Sequence, residues 1–507
     1  MRCNSPRKTG QAHTLKRTFA LALFLALVPT GSAFAQVIYQ TGLPHAAHGG
    51  VDGAALPLWS ALPFAGLLLS IAILPLIAPR FWQAHFGKAT TLWSAAFAVP
   101  FVAAFGGAAW CDIGRALLVD YASFAILLFG LYVATGGVIL RGTLRGRPAT
   151  NVALLALGAL LANFIGTIGA SLLVIRPLLR ANAWRKQRAH LAVFLIFLVG
   201  NIGGSLTALG NPPLFLGYLH GVDFFWTMRL LPIAGFSIAL TLAVFFALDT
   251  ALYRREGPPP RAGASQPLRV EGWRNVAVIA GMVVLIPLTG AWTLPGVRLG
   301  GIEIEGRDLL RNAAILALAA LSLLVSDKHV RRDNEFSWTA MEEVAVLFAG
   351  VFVTLVPALL ILRAGAAGAA APLLAVVDKP WQFFWATGGL SSVLDNAPTY
   401  LAFFEAAIAK YYPGLDESAA VQLLMGRGAA LAQHPNLLDG ARHLLAISAG
   451  AAFMGALTYI GNAPNLMIKS VAEEFGVAMP TFFGYVFKYA LPILATIFAA
   501  ATFVFFT

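Results

Sequence analysis

Runs of about 20 apolar residues follow one another along almost the whole chain, each long enough to cross the hydrocarbon core of a bilayer. Candidate spans lie at 57–79, 89–110, 116–140, 191–216, 228–251, 275–293, 310–326, 340–362, 443–468 and 481–506. Two more apolar segments, 151–175 and 382–408, are interrupted by Gly, Asn, Pro and Thr. Only 11% of the 507 residues are charged, where a soluble protein carries about a quarter. No long polar stretch remains for a separate soluble catalytic domain. The pattern specifies an all-α polytopic membrane protein, about ten transmembrane helices plus two re-entrant segments, with short loops in the lipid bilayer.

Charge sets the orientation. The formal charge of +12 comes from basic residues scattered through short loops, which orient a membrane protein; they form no patch for nucleic acid. Arg2, Arg7, Lys8, Lys16 and Arg17 precede an apolar core and Ala33-Phe34-Ala35, so 1–35 reads as a signal peptide, with an uncleaved signal anchor as the alternative. Either way 36–55 starts outside the cytoplasm of a bacterial inner membrane. Its His45 and His48 read as part of a solvated tail. Cys3 lies in the leader, so a cleaved chain keeps only Cys111 and has no internal disulfide. From that start, loops 80–88, 141–150, 176–190, 252–274, 327–339 and 469–480 face the cytoplasm with 19 Lys and Arg, against 10 in the opposite loops 111–115, 217–229, 294–311, 363–381 and 405–442. The count requires 151–175 to enter and leave on one side. It is therefore read as a hairpin opening inward, and 382–408 as its outward-opening counterpart. Irregular backbone at membrane depth is tolerated only where protein or a watery cavity satisfies it, so the hairpin tips are site candidates.

The two halves, 56–252 and 275–507 joined by a linker at 253–274, match each other. Leu128-Phe129-Gly130 falls against Phe348-Ala349-Gly350, and Ala162-Asn163 against Ser391-Ser392. Gly204-Ser205-Leu206-Thr207 and Gly210-Asn211-Pro212-Pro213 correspond to Gly455-Ala456-Leu457-Thr458 and Gly461-Asn462-Ala463-Pro464. Five crossings per half is odd, so the second copy sits upside down. Two inverted repeats with paired broken segments are a secondary-transporter plan.

Proline removes a backbone donor and frees carbonyl groups at these breaks. With Thr207, Asn211, Thr458 and Asn462 side chains, such carbonyls suit a small cation; exposed helix N-termini suit an anion; a kink that only shapes packing is the third reading. Asp395 is an acid inside an apolar segment, a functional candidate by default, or a helix cap. As a site it would bind Na⁺ when charged and release it on protonation. Glu343 is a second proton-carrier candidate, and Asp120 a weaker one. The candidate Na⁺ ligands are Thr207, Asn211, Asp395, Asn396, Thr458 and Asn462. Neither a phosphate-cradling Gly-Lys-Ser/Thr loop nor a His-Glu-x-x-His zinc motif is present, so no enzyme and no cofactor is expected beyond Na⁺ and H⁺ as transported or coupling ions.

Through 201–217, 391–400 and 455–465 the chain resembles the ion transporter superfamily, and within it the citrate-transporter-like proteins often called sodium:proton antiporters. The topology extends this resemblance over roughly 55–507. It implies hairpin tips meeting near the ion and substrate sites, elevator-like movement against a scaffold, and a homodimer. In the sodium–dicarboxylate branch, Ser-Asn-Thr motifs at the tips bind carboxylate and Na⁺. Here the first hairpin offers Asn163 and Thr167, and the second Ser392, Asp395, Asn396 and Thr399; Ser205, Gly210 and Gly461 complete the candidate set. Some antiporters of the superfamily carry Gly-Asp where this chain has Gly210-Asn211. The leading expectation is Na⁺/H⁺ antiport, with Na⁺- or H⁺-coupled uptake of citrate or a dicarboxylate as the alternative, and a non-transporting intramembrane enzyme or receptor from another class.

Overall fold

The computed structural model describes residues 50–142, 144–256, 269–334 and 336–507. The leader, residues 36–49 with His45 and His48, and most of the linker lie outside the described residues.

The described chain is a helical bundle. Its first half runs α1 (Leu62–Ile77), α2 (Pro79–Phe105), α3 (Gly107–Thr135), β1 (Ile139–Arg141), α4 (Pro148–Ala181), α5 (Ala189–Leu198), α6 (Pro212–Leu219) and α7 (Leu231–Glu256). The second half runs β2 (Arg269–Glu271), α8 (Trp273–Gly290), β3 (Val297–Leu299), β4 (Ile302–Ile304), α9 (Gly306–Val325), α10 (Lys328–Asp333), α11 (Trp338–Arg363), α12 (Pro380–Val393), α13 (Asn396–Tyr411), α14 (Glu417–Leu424), α15 (Ala441–Met454), α16 (Ala463–Glu474) and α17 (Phe482–Phe505). Strands occur only as two small antiparallel pairs, β1 with β2 and β3 with β4. Side chains such as Leu324, Phe503, Ile77 and Leu92 are more than two-thirds exposed, an apolar surface that only a lipid solvent matches.

Nine helices of the described residues are long and apolar enough to cross a membrane, and α4 is one of them. It does not run straight. At Gly166 the backbone takes φ 72° and ψ 160°, a conformation that glycine reaches without a Cβ clash. The two arms fold back: Gly146 N–H donates to Ala181 O at 3.1 Å, and Asn151 and Asn182 exchange side-chain hydrogen bonds of 3.2 and 2.8 Å. The hairpin thus spans 148–181 rather than 151–175, because Pro148 starts a helix that the flanking arginines do not end. The second hairpin, α12 and α13, covers 380–411 rather than 382–408. Its ends close where Lys410 pairs with Asp378 at 3.2 Å, which holds that carboxyl below its usual range, and the Tyr411 hydroxyl donates to Asp378 O at 2.6 Å. With α4 set aside and the interrupted spans α5–α6 and α15–α16 added, there are ten crossings and two hairpins among the described residues.

Two expected loops are helical. Residues 80–88 lie inside α2, which Pro79 opens one residue after α1 ends. Residues 111–115 lie inside α3, and the chain turns instead at Gly106. A charged side chain does not end a helix; the breaks fall instead at Ala78, just before Pro79, and at Gly106, whose φ is 55°.

The interrupted spans occupy the centre. Every residue from His190 to Leu198 is buried, as are nearly all of α15, and a helix apolar on all sides belongs inside the protein. A buried ion pair fixes the first hairpin beside them. Arg185 and Asp249 side chains are both fully buried and paired, while His190 Nε2 and Asn151 Nδ2 each lie 2.8 Å from the same carboxylate. Removing one partner of such a pair strands the other charge. Asp249→Ala is expected to cost about 3–5 kcal/mol, read as a lower thermal midpoint of the detergent-solubilised protein; an unchanged midpoint would show that the pair does not hold the hairpin.

Candidate functional site

The hairpin tips and the breaks meet. Between α5 and α6 the chain leaves the helix from Val199 to Asn211, and between α15 and α16 from Gly455 to Asn462. Each break is bonded to the hairpin of its own half in the same way. Thr207 Oγ1 donates to Asn163 O at 2.5 Å, and Thr458 Oγ1 donates to Ser392 O at 2.5 Å. The glycines match too. A Cβ on Gly204 would lie 2.6 Å from Gly210 O, and one on Gly455 would lie 2.9 Å from Gly461 O; each loop is closed by a contact that no larger residue allows.

Buried asparagines join the two halves. Asn201 Nδ2 donates to Asn465 Oδ1 at 2.8 Å, and Asn462 Nδ2 to Gly200 O at 2.9 Å and Asn201 Oδ1 at 3.1 Å. Asn465 Nδ2 donates to Gly455 O and Thr458 O at 2.8 and 2.9 Å. Asn396, at the second tip, donates to Asn211 Oδ1 at 3.0 Å. In the first half, Thr167 N–H donates to Gly210 O at 3.0 Å, and Asn163 holds both Gly203 O and Leu206 N–H.

This joint forms one wall of a cavity of about 520 Å³. Gly166 and Thr167, Gly210 and Asn211, Asp395, and Asn462 line it from the two tips and the two breaks. The rest of the lining is largely apolar, with Trp82, Phe124 and Phe348, and includes Glu343. Four helical segments begin at this cavity: the second arm of α4 at Thr167, then α6, α13 and α16. The amino end of a helix carries about half a positive charge. Among the described lining residues there are two acids and no Lys, Arg or His.

A protein family described as "Putative citrate transport" matches residues 53–506. The chain belongs to this family. It is a multi-pass membrane transporter. None of the curated proteins compared matches it.

The candidate residues of this citrate-transport family member divide by position. Thr167, Gly210, Asn211, Asp395, Asn462 and Glu343 line the cavity. Asp395 also caps α13, its Oδ1 accepting from Ala397 N–H at 3.1 Å, so its capping geometry and its place in the cavity coexist. Asn163, Thr207, Ser392, Thr458 and Gly461 instead support the joint from behind. The hydroxyls of Ser205, Ser392 and Thr399 donate to Ile202 O, Gly389 O and Asp395 O. Asn396 holds Asn211, yet its own Oδ1 is buried without a hydrogen-bond partner. A buried acceptor without a donor calls for an ion or a water, although Asn396 is not itself among the residues lining the cavity. Asp120 sits away from the cavity, against His220. Asn201 and Asn465 were legible only as parts of longer matching strings; a lone asparagine in an apolar run is the signal that marks them.

Thr207→Val and Thr458→Val delete equivalent hydroxyls at nearly constant volume. Each is expected to lower stability by about 1 kcal/mol, the scale of hydrogen bonds between membrane helices, with the larger loss in Thr458→Val when melts of the purified variants are compared, because Thr458 Oγ1 also accepts from Ile460 and Gly461 N–H at 3.2 and 3.1 Å. A loss in one variant alone would mean that the matched bonds are not equivalent.

Proposed function

We propose that the chain is a cation-coupled carrier of a citrate-class carboxylate, working by alternating access between two inverted repeats. The observation that carries the reading is the convergence of both tips and both breaks on one cavity holding two acids and no basic residue. The cavity lies within the range of small-molecule sites, roughly 300–1,000 Å³, far more than a bare Na⁺ requires. Four helix N-termini at about half a charge each offset Asp395 and Glu343 and leave nothing to neutralise a polycarboxylate. Its charge must then be met by cations that enter with it. Asp395, the unpartnered Asn396 Oδ1, Asn211, Asn462 and the carbonyls freed at the breaks offer the hard oxygen ligands that Na⁺ prefers, and protonation of Asp395 would release the ion. An inner-membrane location with the mature N-terminal end outside, elevator-like movement and a homodimer belong to this reading.

Na⁺/H⁺ antiport is the second reading, favoured by the position of Asp395 on the cavity wall. Reconstituted vesicles separate the two. Labelled citrate uptake is expected to rise under an inward Na⁺ or H⁺ gradient and to fall at least about tenfold, or 1.4 kcal/mol, in Asp395→Asn. Collapse of a pH gradient by Na⁺ without citrate, lost in the same variant, would instead establish antiport. Absence of both fluxes from folded protein would remove both readings.

A further inference from the structure

Away from the cavity, three metal-binding side chains from distant parts of the chain meet. We propose that His220, Glu405 and Glu417 form a binding site for a divalent transition-metal ion of the Zn²⁺ class. His220 follows the last turn of α6, Glu405 lies in α13 and Glu417 opens α14. One ligand atom from each lies within 4.8 Å of the others.

The imidazole carries the argument. His220 is 7% exposed, and neither ring nitrogen makes a hydrogen bond. Its Nδ1 faces Glu417 Oε1 at 3.6 Å and Glu405 Oε1 at 3.8 Å. These separations are too long for hydrogen bonds. They approach the spacing of ligand atoms around a tetrahedral ion, about 3.4 Å when each atom lies about 2.0–2.1 Å from Zn²⁺. The other nitrogen, Nε2, faces Asp120 Oδ1 at 3.7 Å. A carboxylate on that side is where the outer partner of a metal-bound histidine stands, and at 3.7 Å it is placed to accept the second ring N–H after a small shift.

The glutamates are supported in the same way. Arg363 donates to Glu405 at 2.6 Å, and Arg115 lies 3.6 Å from Glu417. Three carboxylates against two guanidinium groups leave one negative charge, which either a proton on the imidazole or a bound cation balances. One nitrogen with two carboxylates suits Zn²⁺ and its neighbours better than Mg²⁺ or Ca²⁺, which take oxygen alone. A separate cavity of about 610 Å³ has Arg363 and Glu405 in its wall. The inference rests on no statement about the transported substrate.

The test uses the full chain, purified in detergent and stripped with a chelator. Zn²⁺ is expected to bind at one ion per chain and raise the thermal midpoint, and Co²⁺ to give the visible absorption of a low-coordinate site. His220→Gln and Glu417→Gln should each weaken Zn²⁺ binding about 100-fold or more, and Asp120→Asn by about 10–100-fold, the loss typical of an outer partner. Glu417 is one-third exposed, so its variant decides the matter should His220→Gln fail to fold. Failure of Zn²⁺ to bind the folded wild-type chain, with a proton on His220 balancing the charge instead, would overturn the proposal. So would Zn²⁺ stoichiometry and Co²⁺ absorption unchanged in the folded glutamate variant.

Discussion

A backbone amide or carbonyl left without a partner in an apolar interior costs several kcal/mol, and two interrupted spans expose many at once. The architecture exists because each irregular segment answers the others. Asn163 bonds the loop that Thr207 ties back to it. Asn465 takes two carbonyls of the second break and receives Asn201 from the first. Neither break could be satisfied in lipid alone, so hairpins and breaks are a single cooperative unit. The cavity is a consequence of that unit: it lies where irregular backbone gathers and helices begin.

The bonding also divides what is firm from what is free. Hairpin tips and breaks are linked to each other by hydrogen bonds on both sides of the joint, and Asn396 to Asn211 runs between the halves. The same cavity is also lined by Trp82, Phe124 and Phe348, whose rings offer largely apolar surface. On the proposed reading, a body held by asparagine and threonine can slide along a wall of aromatic rings at little cost. A directed bond across the same gap would have to break in every cycle.

Much of this was legible because proline, glycine and asparagine in an apolar run have few explanations. Pro212 and Pro464 place both breaks, and the arginines on either side of 151–175 demand a segment that returns to its own side. The finer errors have physical causes. Charge counting put turns at 80–88 and 111–115, but an arginine sits comfortably in a helix and the chain waits for Pro79 and Gly106. The hairpin limits were too short for the same reason. Thr207 and Thr458 were legible as site candidates, yet their hydroxyls point into the joint, since sequence matching finds equivalent positions without telling lining from support. His220, Glu405 and Glu417 were beyond reach, because nothing local in three scattered residues indicates that α6, α13 and α14 bring them together.

The two polar centres obey opposite rules of charge. On the proposed reading, two acids at the cavity face helix N-termini and, among the described lining residues, no fixed cation, so the charge of a bound carboxylate is left for mobile ions to balance. At His220 the acids are countered by Arg363 and Arg115 within the protein, and the remainder is left to a proton on the imidazole or to a bound ion. On the proposed reading, the first arrangement lets a polycarboxylate arrive and leave together with its own counter-ions. A structural or regulatory ion needs the second, because its ligands must stay oriented whether or not the ion is bound. That one chain keeps both kinds of centre, with Glu405 and Asp395 on the same hairpin, gives the second hairpin a part in each.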